Sequence, residues 1–281
     1  MGKPERLSPI QLLMLLQLTR GPRYGYELLK ELREGFRDVG EARTGTIYPA
    51  LRGLKTRGLI EGLKRLVDEA EPYRELFTIP AEARIGVRLI DSGEEATLIF
   101  AERGVEVAER LKEPDMMLMM GSSTFRRILN GEADFGALIS RSRVEEERPI
   151  GVEILNPENY HAIEALRMCL LLFTPGRLKV KRLRAELAGE AHGGHPIPLL
   201  YWNGMRAAWY HLNRGETLNP EGERDPYPQL LITLSGRGRL RLDEGEIAVE
   251  PGSAIYIPPN SLHQLKAESD LELLWMAWRT P

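Results

Sequence analysis

Cysteine is almost absent from this chain: Cys169 is the single one in 281 residues. That excludes an internal disulfide framework and any multi-cysteine zinc site, and it fits a reducing compartment. Cys169 itself reads as a small buried apolar residue. Long apolar runs are missing too. The N-terminus carries no uninterrupted apolar signal segment, and stretches such as residues 168–173 are far too short to span a bilayer. No membrane partner is expected, and the chain is expected to be cytoplasmic. Nor is there an excess of positive charge, since 38 Lys and Arg against 41 Asp and Glu leave a net charge of -3. Any attraction to nucleic acid must therefore come from a local basic patch. What is present, 42% hydrophobic and 28% charged residues, is the make-up of a globular protein long enough for more than one domain.

Ser8, Pro9 and Gln11 form a capping box with proline at the first helical position, and the apolar run QLLMLLQL after it reads as a core helix ended by Gly21-Pro22. In YGYELLKELREGF, Leu28, Leu29, Leu32 and Phe36 share one side, which makes a second, amphipathic helix. A third enters at Thr46, takes Pro49 into its first turn and ends at Gly58. It turns Ile47, Leu51 and Leu54 inward and Tyr48, Arg52 and Lys55 outward. Such a two-faced helix suits groove reading, although a solvated surface helix has the same pattern. After Gly58, LIEGLKRL and YRELFTI read as two strands around the polar bend VDEAEP. Three helices and a hairpin over residues 1–80 make a winged helix-turn-helix.

Taken together, GPRYGYELLKEL, GTIYPALRGLKTRGLIEG and EPYRELFTI resemble the PadR family of winged-helix transcriptional regulators over the first 80 residues. The resemblance implies a homodimer that binds a double-stranded DNA operator, with the third helix in the major groove and the wing near the backbone. Carried onto this chain, Thr44, Thr46, Tyr48 and Arg52 would face the groove, and Tyr24, Lys55, Lys64, Arg65 and Arg74 the phosphates. Two features depart from the family. Asp68, Glu69 and Glu71 put negative charge at the expected wing tip, and Pro80 leads into strand-like alternation where a dimerisation helix usually follows.

Residues 84–187 open with alternating Ile85, Val87 and Leu89, a DSG turn and ATLIF, the pattern of antiparallel sheet. MMLMM, residues 116–120, reads as a strand buried on both faces, although methionine also suits an adaptable apolar wall. Helices are expected from Ser122 and from Asp134. Another is expected after Asn156-Pro157, bringing Tyr160, Ile163, Leu166, Leu170 and Phe173 to one side. The run PDMMLMMGSSTFRRILNGEADFGALISRSRVEEE resembles a sterol carrier protein type of α/β domain. That implies an apolar tunnel, a ligand module or a dimer-forming module.

AGEAHGGHPIP reads as an exposed linker, with His192 and His195 solvated within it. From residue 198 to 281 only short strands and turns follow, an all-β sandwich or barrel. LLITLSGRGRLRLDEGEIAVEPGSAIYIPPNSLHQL, with its SGRG and PG turns and PPNSLH ending, resembles a cupin, and within cupins the sensor domains of AraC-type regulators. Metal-binding cupins gather histidines and a carboxylate. Here Glu223, Asp225 and Gln229 stand at the first-motif positions and His263 alone at the second. No metal, cofactor or catalytic residue is expected. By strand alternation about half of Trp202, Trp209, Tyr227, Tyr256 and Trp275 should face inward, and the ligand-binding candidates are Tyr227, Gln229, Tyr256 and His263. The expectation is a multidomain α+β chain that acts as a ligand-responsive transcriptional regulator with an unidentified, apolar small-molecule effector. Its rival is a metal-dependent cupin enzyme with an autoregulatory DNA-binding domain.

Overall fold

Leu59, Leu63, Leu66 and Ala70 recur at spacings of four and three, and all four are buried. A helix gathers such a set on one stripe, whereas a strand would split it between two faces. Residues 58–70 accordingly form a helix, α1, in the computed structural model, which describes residues 58–141, 149–243 and 245–279. This overturns the first strand of the expected hairpin, and Gly58 is helical instead of a stop. The second strand is replaced as well: Glu71–Phe77 is a 3-10 helix with Pro72 in its first turn, and only an isolated bridge joins Thr78 to Ala101. The chain divides into two compact units, residues 1–61 and 62–281. The segments expected as separate domains at 84–187 and 198–281 fall within the second.

That second unit opens with a five-stranded sheet in the order β3-β2-β1-β4-β5. The strands are β1 (Ala83–Leu89), β2 (Glu94–Ala101), β3 (Gly104–Ala108), β4 (Met116–Met120) and β5 (Ile150–Ile154). β1 to β3 are an antiparallel meander, β4 runs parallel to β1, and β5 returns antiparallel. MMLMM lies inside the sheet with four of its five side chains buried, as its unbroken apolar character requires. Asp115, just before it, is buried and fully used: Oδ2 accepts the Arg84 N–H (2.8 Å) and Oδ1 the Asn156 Nδ2–H (2.8 Å). Asn156 is thereby committed to the sheet edge and does not cap a helix.

The helices are α2 (Ser122–Leu129), α3 (Phe135–Arg141) and α4 (His161–Leu172). α4 begins four residues after the expected Pro157 start. Its core stripe is Ala162, Ala165, Met168, Cys169 and Leu172. Of the expected stripe, Leu170 and Phe173 are buried, while Tyr160, Ile163 and Leu166 are not part of that core and Tyr160 is exposed. Cys169 is buried, and burial pushes its thiol pKa up, so it behaves as the inert apolar residue expected. α4 packs on β1 and also on the strand His195–Trp202 of the next layer.

The remaining strands make two facing sheets, β11-β10-β13-β8 and β12-β9-β14-β7-β6. In chain order they are β6 (His195–Trp202), β7 (Met205–Leu212), β8 (Thr217–Leu218), β9 (Gln229–Ser235), β10 (Gly238–Leu242), β11 (Gly245–Val249), β12 (Ala254–Ile257), β13 (His263–Ala267) and β14 (Leu271–Trp278). Leu231, Leu240, Leu265, Leu271 and Leu273 fill the space between them. The expected exposed linker is only partly so: Glu190, His192 and Gly193 are exposed, but the segment is packed on either side of them. Ala188 is buried, the Gly189 N–H donates to Pro196 O (2.8 Å), and His195 already belongs to β6. His195 is not solvated either, since its Nε2 lies 3.0 Å from Glu216 Oε1.

After α4, residues 174–181 run as a strap along α1 and the 3-10 helix. The Gly176 N–H donates to Glu69 Oε2 (2.7 Å), and the Lys179 backbone N–H reaches Tyr73 Oη (3.4 Å). The Lys179 ammonium donates to Thr174 O (2.7 Å), and burial pulls its pKa from 10.5 down to about 8. Between pH 8 and 10.5 the unfolded chain holds a proton here that the folded chain has released, so this group adds stability as pH rises through that window. Urea denaturation at pH 7.5 and 10 reads it: the wild-type midpoint, relative to that of Lys179→Met, should move up with pH, and parallel midpoints would contradict it.

Candidate ligand-binding site

Successive residues of a strand point to opposite faces, so β7 sends Arg206, Ala208 and Tyr210 inward and Trp209 outward. Trp209 is buried in a separate cluster with Ile197 and Ala188. The small Ala208 leaves room between its large neighbours. A cavity of about 560 Å³ opens there, lined by β7 together with β9, β14, the 219–227 loop and His263. That size lies within the range of about 300–1,000 Å³ usual for small-molecule sites. The other wall comes from outside the β-sandwich, from α3 and α4, through Ile139, Ile163, Leu166 and Leu170. Three members of the apolar stripe expected on α4, Ile163, Leu166 and Leu170, thus face the cavity, and Tyr160 and Phe173 do not.

The polar floor is preorganised. Arg206 Nη2 donates to Asp225 Oδ2 (2.9 Å), and its guanidinium sits 5.0 Å from the Tyr227 ring centroid and 5.4 Å from that of Trp275. Asp225 Oδ1 accepts the Tyr227 backbone N–H (2.9 Å). Gln229, only 2% exposed, accepts the Trp275 indole N–H on Oε1 (2.7 Å). Indole is only a donor, so this bond fixes the amide with its NH₂ on the far side. His263 Nδ1 lies 3.1 Å from Ser261 O, which places the proton on Nδ1 and leaves Nε2 as an acceptor in the neutral ring. Asn219, at φ +57°, ties the loop to β13 by donating to Glu223 O (2.9 Å) and His263 O (2.8 Å). Burial raises the Tyr210 pKa, so its phenol stays protonated.

These donors do not fit a cation. Both Asp225 oxygens and the Gln229 carbonyl oxygen are already used, and Glu223 is mostly exposed with its carboxylate 3.9 Å from His192 Nδ1. Among the described residues no group of three or more His, Cys, Asp or Glu side chains is placed to hold a metal ion.

Of the four expected ligand contacts, Tyr227, Gln229 and His263 meet in the cavity. Tyr256 does not. It is 53% exposed on β12 and lies beside Trp278 on the outside. Trp275 is the inward member of the aromatic set besides Tyr227, and Trp202 is exposed. Arg206 went unrecognised in the sequence, although its place two residues before Ala208 and four before Tyr210 marks it as inward once either is.

Among the DNA-contact candidates, Tyr24, Thr44, Thr46, Tyr48, Arg52 and Lys55 lie outside the described residues. The other three have carboxylate partners: Lys64 Nζ with Glu109 Oε1 (2.7 Å), Arg65 Nε with Glu69 Oε1 (3.0 Å), and Arg74 Nη2 with Glu71 Oε1 (2.5 Å). Arg65 also donates to Leu129 O (3.0 Å). The Lys64 ammonium holds the Glu109 carboxyl below its usual range. The Lys64 and Arg74 pairs are exposed, and such pairs exchange readily for other partners.

Two facing antiparallel sheets around an internal cavity, with loops closing one end, define a cupin-type barrel. Family comparison agrees in both halves of the chain: residues 208–278 match the Cupin domain family and residues 12–84 the Transcriptional regulator PadR-like family. The chain therefore carries a PadR-like N-terminal segment and a C-terminal cupin domain. It is similar in structure to a cupin 2 conserved barrel domain protein from Salinispora arenicola (18% identity, 37% of this chain and 90% of that one, TM-score 0.33). It is also similar to an RmlC-like cupin from Shewanella frigidimarina (14%, 33% and 82%, TM-score 0.30) and a cupin-2 domain from Rhodospirillum rubrum (22%, 34% and 68%, TM-score 0.30). No curated protein matches the chain. Among the described residues no helix is long and apolar enough to cross a membrane.

Proposed function

We propose that this protein is a ligand-responsive, DNA-binding transcriptional regulator that works as a cytoplasmic homodimer. The single observation that carries the sensing half is the cavity in which Tyr227, Gln229 and His263 converge. The DNA-binding half rests on the PadR-like segment at residues 12–84. Thr44, Thr46, Tyr48 and Arg52 serve as groove contacts, and the two reading helices of the dimer meet half-sites about 34–36 Å apart or multiples of that. The sheet with α2 to α4 serves as a sterol-carrier-like module that walls the cavity. The reading is regulatory, because Asp225 and Gln229 at the cupin first-motif positions are engaged with Arg206 and Trp275, which leaves His263 without an evident partner ligand among the described residues.

The strap after α4 supplies a physical route for the signal. α4 presents Ile163, Leu166 and Leu170 to the cavity, and the segment that follows it holds Glu69 on α1. A ligand that shifts α4 therefore acts on the helix at the start of the second unit.

Fluorescence anisotropy on duplexes enriched by the protein from a random library tests this reading. The enriched duplex should bind more tightly than random sequence, with affinity falling steeply as salt rises. Arg52→Ala, which removes a groove contact, should cost about 1–3 kcal/mol on the enriched duplex and relax the preference over random sequence, whereas Lys55→Ala should lower the slope of log K against log salt by about 1. Lys64→Ala should also lower the slope, because the exposed Lys64 and Glu109 pair exchanges readily for a phosphate. No preference over random duplex at low salt would overturn the reading.

A further inference from the structure

The cavity has two chemically different walls. The α3 and α4 side is mainly apolar: Ile139, Ile163, Leu166 and Leu170 present hydrocarbon, the Ser140 hydroxyl donates back to Gly136 O (3.0 Å), and Arg167, an exposed residue of α4, is the charged member of that wall. Gly136 permits this close seating, since a Cβ on it would lie 2.9 Å from Leu170 Cδ1's twin, Cδ2, and 3.1 Å from Pro198 Cγ of β6. The β-sandwich side ends in donors. The Gln229 amide turns its NH₂ away from Trp275, Arg206 uses one nitrogen on Asp225 and keeps other N–H groups, and Tyr210 keeps its phenolic proton. The positive charge of Arg206 is balanced by Asp225, so the floor offers hydrogen-bond donors around a nearly neutral pair.

We infer that this is a composite site, closed by α4 over the cupin floor, for an amphipathic molecule with an apolar body and a hydrogen-bond-accepting oxygen at one end. The inference rests on the reading of the cavity as the sensing site and adds its second wall and the class of its ligand. The apolar body packs on the α4 stripe, and the oxygen takes the donors of Gln229 and Arg206. A cationic end fits poorly, because an ammonium brings further donors to groups that are donors already, Asp225 is paired with Arg206, and Glu223, the other carboxylate of the lining, is mostly exposed to water.

The test uses the full chain and 8-anilinonaphthalene-1-sulfonate, whose fluorescence rises in apolar surroundings, with decanoate, 1-decanol and decylamine as competitors. Saturable binding at one site per chain is expected, displaced by decanoate and decanol and about tenfold or more less well by decylamine. Ile163→Glu puts a charge on the α4 wall at a position 43% exposed, so the fold should survive, and binding should be lost. Gln229→Glu keeps the acceptor for the Trp275 indole but replaces the NH₂ by oxygen, and decanoate affinity should fall about tenfold or more. Melting temperatures within a few degrees of wild type keep both results interpretable. Loss in Gln229→Glu alone would overturn the composite wall and leave the cupin as sensor. Loss in neither, or a preference for decylamine, would overturn the inference outright. Binding as described with operator affinity unmoved by decanoate would uphold the site and count against ligand-responsive regulation.

Discussion

Replacing Lys181 with alanine should lower the unfolding free energy by about 3 kcal/mol, because it strands a buried carboxylate. The Lys181 and Asp134 side chains are 8% and 12% exposed, and Nζ lies 2.5 Å from Oδ2. Asp134 has a second task. Its Oδ1 accepts the Ala137 N–H (2.9 Å) at the start of α3, so the charge cannot swing out to water without uncapping that helix. The double variant Lys181→Met with Asp134→Asn should recover most of the loss, since an asparagine keeps the cap and no charge remains buried. Urea denaturation of the wild type and the two variants checks this. A cost below about 1 kcal/mol for Lys181→Ala would mean that the pair behaves like a surface ion pair. The same pair pins the strap to α3, so the single variant should also weaken the hold on Glu69, and faster amide exchange at Gly176 is the local signature.

Strands such as β1 and β4 were legible because they bury one face or both, which leaves period-two alternation or an unbroken apolar run such as MMLMM. The helical stretch 58–70 was misread for a related reason. LIEGLKRL carries enough leucine and isoleucine to suit a strand, and only the longer spacing of Leu59, Leu63, Leu66 and Ala70 separates the two choices. AGEAHGGHPIP was misread because glycine serves two purposes. A Cβ at Gly189 would stand 2.5 Å from Ala137 O, so glycine is needed there for close approach of two backbones, which composition cannot distinguish from flexibility. The apolar stripe of α4 was correctly located as apolar, yet hydrophobicity reads the same on a core wall and on a cavity wall. Three of the four ligand candidates converge because the cupin pattern fixes the ends of β9 and β13. Tyr256 was the fourth, and β12 turns it outward, a parity that depends on pairing with β9 and not on its own neighbours.

Arg206→Ala should both destabilise the protein and empty the proposed site of its strongest donor. The guanidinium and the Asp225 carboxylate are about one quarter exposed, at 25% and 22%, so the loss on leaving Asp225 unpaired is smaller than for a fully buried pair, about 2 kcal/mol. Removal of a cation lying over Tyr227 and Trp275 contributes roughly another 0.5–1 kcal/mol. For decanoate the expected loss is about tenfold or more, since one donor disappears and an uncompensated carboxylate remains beside the ligand's own charge. Arg206→Lys separates the two effects. It restores a cation for Asp225 but not the planar group that stacks between two rings and donates in two directions. Stability should therefore recover more completely than decanoate affinity, as read by urea denaturation and by displacement of the fluorescent probe. Equal recovery of both would show that only the charge of Arg206 matters. Because decanol carries no charge, it should lose less than decanoate in Arg206→Ala, and an equal loss for the two would mean that the Asp225 carboxylate does not reach the ligand.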